Sequence, residues 1–268
     1  MVGATLQDNI IDIILRFRLH AIAITADLKK MYRQILVHEQ DKDYQRIVWR
    51  FSSSEPIQEF QLNTVTYGLA YAPFLAIRCV RQLASDAISE FSEAPHVLLN
   101  DLYVDDILTG VKCKTDAITL ISQLQNLLSS GGFELHKLHS NCKEIANNFA
   151  AMDSSEESSS VTINVDTVKT LGLNWNPERD NFHFSSQLTN NSIKTKREVL
   201  STISRLFDPL GLISPISIRA KLIMQGTWSS KLNWDDQLPH ELQQAWDAYA
   251  DDLKEIHTIE IPRSHLVF

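Results

Sequence analysis

Two adjacent acidic residues, Asp105 and Asp106, follow an apolar run in the stretch HVLLNDLYVDDILTG at residues 96–110. A buried carboxylate without a partner is costly, so such a pair indicates a bound cation or raised pKa values. The alternative is a solvated turn, because short acidic motifs are common by chance. Asp27 ends the apolar stretch AIAITADL, and a sheet can bring it beside the pair. These carboxylates could then hold two Mg²⁺ ions, with Mn²⁺ as a substitute, and perform phosphoryl transfer.

The elements that must position these acids are predicted from apolar periodicity. The stretch that begins at residue 21 reads as a short buried strand ending at Asp27, and residues 96–111 read as a β-hairpin with the aspartates in its turn. The clearest helix is TDAITLISQLQNLLSSGGF, with Thr115 as its cap and Gly131 after its end. One face of that helix carries the apolar residues at positions 117, 120, 121, 124, 127 and 128.

The rest of the chain is predicted to mix strands and helices. A helix is expected before residue 20, strands in YQRIVWRF and EFQLNTVTY, and a helix from Pro73 to about Phe91. The polar run DSSEESSS at 153–160 cannot bury a core and predicts a mobile loop at a subdomain boundary. Beyond it we expect strands in TVKTLGLNW and NFHFS, and helices at 195–206, 215–230 and 240–256.

Composition limits the class of protein. The chain has 268 residues, of which 44% are hydrophobic and 22% charged, as in ordinary globular proteins. Three scattered cysteines do not make a disulfide framework, and no apolar stretch suits a signal peptide or membrane span. We therefore expect an intracellular protein with no membrane partner.

Charge is segregated along the chain. The formal net charge is −8, yet residues 191–234 carry seven Lys or Arg against two acids. Such a strip is either a solvated helical face or a surface for a nucleic-acid backbone. The candidate nucleic-acid strip consists of Lys194, Lys196, Arg197, Arg205, Arg219 and Lys221.

Three stretches in order resemble motifs A, B and C of a reverse transcriptase: ADLKKMYRQILVHEQDKDYQRIVWR, LNTVTYGLAYAPFLAIR and LYVDDIL. The stretches GFELHKLHSN, LGLNWNP and RLFDPLGLISPISIRAKLIMQ resemble polyproteins of BEL/Pao long-terminal-repeat retrotransposons. The resemblance implies an RNA-directed DNA polymerase that acts on a primed RNA or DNA template with deoxynucleoside triphosphates. The alternative is an inactive relic that keeps the fold and binds nucleic acid.

The resemblance also implies an α+β fold. It has a palm, an antiparallel sheet with helices on one face, together with truncated fingers and a helical thumb or connection. Residues 1–152 would form partial fingers and palm, 153–160 the Ser-rich loop, 161–190 primer-grip-like strands, and 191–268 the thumb or connection with a Pao-type segment. Only Arg16 and Arg18 precede Asp27 as basic groups for a template. Peptidase chemistry is not expected, because no Asp-Thr-Gly or Asp-Ser-Gly triplet occurs.

The family's functional residues map onto individual positions. Asp27 and Asp105 match the metal-binding aspartates, and Asp106 matches their less critical neighbour. Tyr32 matches the aromatic steric gate that excludes a 2′-hydroxyl, although a core aromatic is the alternative. The backbone amides of Lys30 and Met31 fall where the family contacts the triphosphate.

Motif B and the segments after motif C supply further candidates. Gly68 would allow close backbone approach to the nucleotide, and Pro73 would open the following helix. Retroviral relatives carry glutamine before this glycine, whereas this chain has Tyr67. Lys137 resembles the motif D lysine, with a solvated lysine as the alternative. Leu173 and Trp175 resemble the primer grip, with a plain core strand as the alternative.

Overall fold

The computed structural model describes residues 2–153, 167–185 and 193–265. The described residues divide into two compact units, residues 2–153 and residues 167–185 with 193–265. The predicted Ser-rich loop lies outside the described residues except for Asp153, which ends a helix. None of the described helices is long and apolar enough to cross a lipid bilayer.

The first unit combines helices with antiparallel strands and two short 3₁₀ helices at Met31–Gln34 and Glu39–Gln45. Its elements in chain order are α1 (Ile10–Phe17), β1 (Ile22–Leu28), β2 (Arg46–Trp49), β3 (Gln58–Gln61), α2 (Ala72–Asp86), α3 (Ala94–Asn100), β4 (Leu102–Tyr103), β5 (Asp106–Val111), α4 (Lys114–Ser130), β6 (Leu135–Ser140) and α5 (Lys143–Asp153).

The main sheet of this unit has the strand order β4-β5-β1-β6 and is antiparallel throughout. Its central strand β1 is buried over most of its length, as its continuous apolar sequence predicts. In the described part of the chain β2 and β3 form a separate hairpin, and the side chains of Val48 and Trp49 are exposed on it.

Helix α4 confirms the periodicity argument. All six apolar positions predicted for one face, 117, 120, 121, 124, 127 and 128, are buried in the core of the unit. Its N-cap is Cys113, so the predicted Thr115 cap is wrong by two residues. Gly131 directly follows the helix, as the sequence predicts.

The predicted hairpin at residues 96–111 is only partly correct. Its first arm forms helix α3, with Pro95 in the first turn and Val97 and Leu98 buried, and β4 keeps only two residues. Proline suits the first turn of a helix, and a short apolar run does not by itself distinguish a helix from a strand. Asp105 occupies the turn, whereas Asp106 begins β5.

The second unit contains three longer helices and a four-stranded antiparallel sheet, with the strand order β10 (Glu260–Pro262), β9 (Asn181–His183), β8 (Leu173–Asn176) and β7 (Val168–Thr170). The single strand predicted at TVKTLGLNW is instead two strands joined at Leu171 and Gly172, which have φ angles of +45° and +82°. Trp246 and Tyr249 are buried in the hydrophobic core of the second unit. Its elements are β7 (Val168–Thr170), β8 (Leu173–Asn176), β9 (Asn181–His183), α6 (Lys196–Ile203), α7 (Ser214–Ser229), α8 (His240–Lys254) and β10 (Glu260–Pro262).

Candidate active site

Strands β1 and β5 bring the predicted acids to one end of the main sheet. Asp27 lies directly opposite Asp106 in the antiparallel register, with Ala26 opposite Ile107 one position further along. Opposite residues of an antiparallel pair project to the same face. The Asp27 and Asp106 side chains therefore leave the sheet on the same side.

Asp105 is held by the turn between β4 and β5. Tyr103 pairs with Asp106, which leaves Val104 and Asp105 as the two turn residues. Val104 has φ +57°, a conformation that is strained for a β-branched residue. The backbone N–H of Leu28 donates a 2.8 Å hydrogen bond to the carbonyl oxygen of Asp105, which anchors the turn beside the end of β1.

The carboxyl of Asp105 is in an environment that opposes its ionisation. Burial raises its pKa above the ordinary value, and the negative charge of Asp27 raises it further. A hydrogen bond from its own backbone N–H and the positive charge of Lys137 act in the opposite direction. Asp105 is thus close enough to Asp27 for their charges to interact.

A bulge in β6 directs Lys137 towards this site. The register of β6 with β1 shifts between Thr25 and Asp27, and Lys137 has φ +50°. Its Nζ lies 3.4 Å from Oδ2 of Asp27. Bulges beside functional sites commonly re-aim a side chain in this way.

The candidate gate follows β1 directly. Lys30 is exposed with φ +49°, and the 3₁₀ helix after it buries Met31 and leaves Tyr32 9% exposed. The ring centroids of Tyr32 and Tyr67 are 4.9 Å apart, and the rings are tilted by 58°. Burial raises the pKa of Tyr32, with further contributions from Asp105 and Tyr67.

Gly68 precedes helix α2, and Pro73 lies inside the start of that helix. Gly68 has φ +85°, which favours glycine, and a Cβ added there would meet no described atom within 4 Å. Pro73 lies in the first turn of α2, where its missing N–H costs no helical hydrogen bond. The backbone at Gly68 is therefore open to a ligand.

Three carboxylates could bind metal ions at this site. Asp27, Asp105 and Asp106 supply hard oxygen donors, and the pKa of Asp105 is raised by burial and, to a smaller extent, by the charge of Asp27, both of which a bound divalent cation would counteract. Among the residues that the structure describes, no group of three or more His, Cys, Asp or Glu could by itself hold a metal ion. Mg²⁺ in proteins commonly takes one or two carboxylates and completes its shell with water and substrate phosphates. The acids fit a site of that open kind.

The candidate nucleic-acid strip is not uniformly exposed. Lys196 is 7% exposed, and its Nζ donates to the Leu232 carbonyl oxygen at 3.1 Å and lies 5.1 Å from the centroid of the Trp234 ring. The assignment of Lys196 to a nucleic-acid surface is therefore wrong, because its charge is directed into the unit.

The other members of the strip differ in their partners. Arg197 pairs with Asp235 at 2.7 Å and Arg219 with Asp252 at 2.5 Å. The remaining members of the strip are exposed: Lys194, Arg205 and Lys221.

The candidate primer-grip side chains are also internal. Leu173 is buried and Trp175 is 0% exposed, with its indole Nε1 donating to Asp180 Oδ1 at 3.0 Å. Neither side chain can contact a primer in this packing, which matches the alternative of a core strand. The sequence left both interpretations of these two residues open, because the alternation of side chains along a strand does not say which face of the strand is covered.

The two arginines before Asp27 also lie in contacts within the first unit. Arg16 Nε donates to Asp101 at 2.8 Å, and its Nη2 pairs with Asp8 at 3.0 Å. Arg18 is buried at the end of α1. These two arginines serve the packing of α1.

Two features of the site escaped the sequence patterns. The departure at Tyr67 is visible in the sequence, but its contact with Tyr32 depends on tertiary packing. The positive φ of Val104 carries no sequence signal, because valine is a poor candidate for that conformation.

Comparison with family models gives two matches. Residues 3–174 match the model of the reverse transcriptase (RNA-dependent DNA polymerase), and residues 195–267 match that of the Pao retrotransposon-like RNaseH-like domain. These matches confirm the predicted resemblance to a BEL/Pao retrotransposon region. No curated protein matches the chain.

Two solved structures share the fold. The foamy viral protease-reverse transcriptase dRH in complex with double-stranded DNA has a TM-score of 0.59 at 14% identity, over 95% of this chain and 39% of that one. The foamy viral protease-reverse transcriptase in complex with an RNA/DNA hybrid has a TM-score of 0.54 at 15% identity, over 97% and 30%. The chain thus spans well under half of either protein. The predicted α+β class is confirmed.

Proposed function

The chain belongs to the reverse transcriptase family, and we propose that it catalyses RNA-directed DNA synthesis as part of a BEL/Pao retrotransposon. The observation that carries the proposal is the convergence of Asp27, Asp105 and Asp106 at one end of the β1–β5 pair. Its substrates would be deoxynucleoside triphosphates and a primer on an RNA or DNA template.

Members of this family use divalent metal ions, and we assign their ligands here to Asp27, Asp105 and, as the lesser contributor, Asp106. Two Mg²⁺ ions, or Mn²⁺ in their place, would supply charge neutralisation at the reacting phosphate when bound. The elevated pKa of Asp105 is compatible with this role, because a nearby cation favours the ionised carboxylate that binds it.

The residues around Asp27 would bind and select the nucleotide. Lys30 is an exposed residue, and its backbone amide and that of Met31 would contact the triphosphate. Tyr32 would lie under the sugar, where its ring leaves no volume for a 2′-hydroxyl. The open backbone at Gly68 would allow the nucleotide to approach before α2, whose first turn Pro73 defines.

In the reaction, the primer 3′-oxygen forms a bond to the α-phosphorus while the bond to pyrophosphate breaks in line. Lys137 Nζ, 3.4 Å from Asp27, would donate a proton to the leaving pyrophosphate or neutralise its charge. The nucleotide would therefore have to compete with Asp27 for the Lys137 ammonium group.

We assign residues 1–152 to a palm with part of the fingers and residues 191–268 to the thumb or connection. Between them we place the strands β7, β8 and β9. The compact unit that contains β1, β5 and β6 supports the first assignment. The family-model match at residues 195–267, to a Pao retrotransposon-like RNaseH-like domain, supports a separate segment there.

Primer extension tests the function. With Mg²⁺, a primed RNA template and all four deoxynucleotides, the unaltered chain should lengthen the primer. Asp27→Asn and Asp105→Asn should each reduce incorporation by roughly 100-fold or more, because each removes a carboxylate ligand. Glu90→Gln, a change at an exposed acid on the surface of the same unit, is the matched control.

The outcomes separate the alternatives. No extension by the unaltered chain with either Mg²⁺ or Mn²⁺ would favour a relic that only keeps the fold. Extension that survives both aspartate changes would contradict the assigned metal ligands.

A further inference from the structure

The second unit contains a cavity of about 370 Å³ that the proposed polymerase chemistry does not use. It is lined by residues of the sheet formed by β7, β8 and β9 and by residues of the segment that joins α6 to α7. Cavities of this volume are at the small end of those that hold small molecules in proteins. The cavity therefore has room for one small ligand.

Polar side chains form a row along the sheet where it lines this cavity. Lys169 lies opposite Asn174, and Asn174 lies opposite His183. Opposite residues of antiparallel strands project to the same face of a sheet. Ser185 lines the cavity two residues beyond His183, and Asn174 Nδ2 donates to Ser185 Oγ at 3.5 Å. The lysine, asparagine and serine side chains can each donate a hydrogen bond to a bound ligand.

The lining of the cavity has an excess of positive charge. Lys169 and Arg205 both line it, and no aspartate or glutamate is among the described residues that do. The polar row continues to Glu260, which lies opposite His183 but outside the lining and accepts a hydrogen bond of 2.8 Å from Arg179. A concave site lined by one sign of charge attracts ligands of the opposite sign. The lining therefore favours an anion.

An aromatic ring forms an apolar part of the lining. Phe207 packs against the backbone of Gly172, where an added Cβ would lie 2.7 Å from the ring. Gly172 also has φ +82°, so both the close approach and the backbone conformation favour glycine. Phe207 is 44% exposed, so part of its ring remains accessible at the cavity. The ring therefore offers a surface for a flat apolar group.

We propose that this cavity binds a small phosphate monoester that carries a planar ring. Lys169 and Arg205 supply two positive charges, which match the charge of about −1.5 to −2 on a phosphate monoester at pH 7. The phosphate oxygens would accept hydrogen bonds from these two cations and from Asn174, and the ring would lie against Phe207. The site is independent of the proposed polymerase function, because every described lining residue belongs to the second unit.

Calorimetric titration of the full chain with phenyl phosphate, in a buffer that contains a metal chelator, tests the site. The chelator suppresses metal-dependent nucleotide binding at Asp27 and Asp105. Phenyl phosphate should bind roughly 5-fold more tightly than inorganic phosphate, which lacks the ring, and benzyl alcohol, which lacks the charge, should not bind. AMP is titrated in parallel, and the tighter of the two monoesters shows whether the ring is a nucleobase or a simple arene.

Two double variants separate the cations of the cavity from net charge. Lys169→Gln with Arg205→Gln should raise the dissociation constant of phenyl phosphate roughly 10-fold or more, because charge-assisted hydrogen bonds to the phosphate are lost. Lys194→Gln with Lys221→Gln removes two exposed charges from the same unit outside the lining and should leave the dissociation constant unchanged. Equal weakening by the two pairs would show only a general attraction of anions and would overturn the proposal.

The contribution of the ring is tested at Phe207. Phe207→Ala should weaken the binding of phenyl phosphate roughly 5-fold and leave the affinity for inorganic phosphate unchanged. Thermal unfolding checks that the second unit is folded, and Phe207→Leu, which keeps an apolar side chain over Gly172, replaces the alanine variant if that variant unfolds. An unchanged affinity for phenyl phosphate in a folded variant would overturn the proposal.

Two further results would also overturn it. The first is the absence of any binding of phenyl phosphate or AMP to the unaltered chain at millimolar concentrations. The second is displacement of bound phenyl phosphate by an RNA/DNA hybrid, which would show that nucleic acid rather than a small ligand covers the cavity. Binding that meets the expectations above would support the proposal whether or not the chain extends primers.

Discussion

The ammonium group of Lys137 lies 3.4 Å from Oδ2 of Asp27, across a bulge in the pairing of β6 with β1. The lysine side chain is largely exposed, and an exposed ion pair contributes little to stability. Lys137 also has a positive φ, which is unfavourable for a lysine. The strained bulge is better explained by the placement of a cation at the acidic site than by the stability of the sheet.

Lys137→Gln should lower single-nucleotide incorporation roughly 100-fold, because glutamine can neither donate a proton to pyrophosphate nor neutralise it. Lys137→Arg should retain part of the rate, since it keeps the charge but transfers a proton poorly. Rapid-quench kinetics measure the rate. Lys114→Gln, which removes an exposed lysine paired with Glu144 at 2.7 Å, should have no effect. A normal rate in Lys137→Gln would leave this residue as a solvated lysine.

Asp105→Asn should stabilise the first unit at neutral pH in the presence of a metal chelator. The pKa of Asp105 is raised in the folded chain by burial and by Asp27, so its ionisation opposes folding. This penalty is absent below the pKa of the unfolded chain and grows as the pH rises through the higher folded pKa. Asn carries no such penalty at any pH.

The increase in the free energy of unfolding caused by Asp105→Asn should therefore be larger at pH 7 than at pH 4. Hydrogen exchange of the backbone amides of β1 and β5 at low urea concentrations, compared at both pH values, measures the change in stability of the first unit. Glu90→Gln, at an exposed position, is the control for the loss of one negative charge. A variant less stable than the unaltered chain at pH 7 would show that the Asp105 carboxylate is stabilising in the folded chain.

Asp180→Ala should destabilise the second unit by about 3–5 kcal/mol, because it leaves a buried guanidinium without its carboxylate. Arg263 is 0% exposed, and its Nε and Nη2 donate to Asp180 at 2.6 and 2.8 Å. Chemical denaturation measures the change. Asp251→Ala breaks the exposed pair with Lys254 and should cost at most about 1 kcal/mol.

A second change separates the pair from general packing. Arg263→Leu with Asp180→Ala should recover part of the loss, because an apolar side chain in place of the buried cation removes the unpaired charge. If the double variant is less stable than Asp180→Ala alone, the guanidinium is stabilised by partners other than Asp180.

The sequence predicted those features that depend on local periodicity. The α4 face and strand β1 have strong patterns, and both are confirmed. The first arm of the predicted hairpin became α3 because a short apolar run is compatible with helix or strand, and Pro95 suits a helix start.

The site could be predicted only where a motif fixes the residue. The placement of Asp27 beside Asp105 follows from strand ends that meet in one sheet. The burial of Trp175 and Lys196 depends on which face of an element is covered, and charge or alternation alone does not contain that information. The contact between Tyr32 and Tyr67 arises from a tether between segments that are distant in sequence.

The last prediction concerns the strip on the second unit, where ion pairing should decide which cations bind nucleic acid. Lys194 and Lys221 are exposed, whereas Arg197 and Arg219 are paired with Asp235 and Asp252. A phosphate must displace a carboxylate to bind either arginine, so their contribution should be small.

Binding of an RNA/DNA hybrid, measured by fluorescence anisotropy over a series of salt concentrations, tests this difference. The double change Lys194→Gln and Lys221→Gln should weaken binding and reduce the slope of log K against log salt by about 2, since each phosphate contact contributes about one unit. The matched double change Arg197→Gln and Arg219→Gln should leave the slope nearly unaltered. Both pairs remove two positive charges from the same unit, so a general effect of net charge would change the two slopes equally. Equal slopes would therefore show that the exposed lysines are not phosphate contacts.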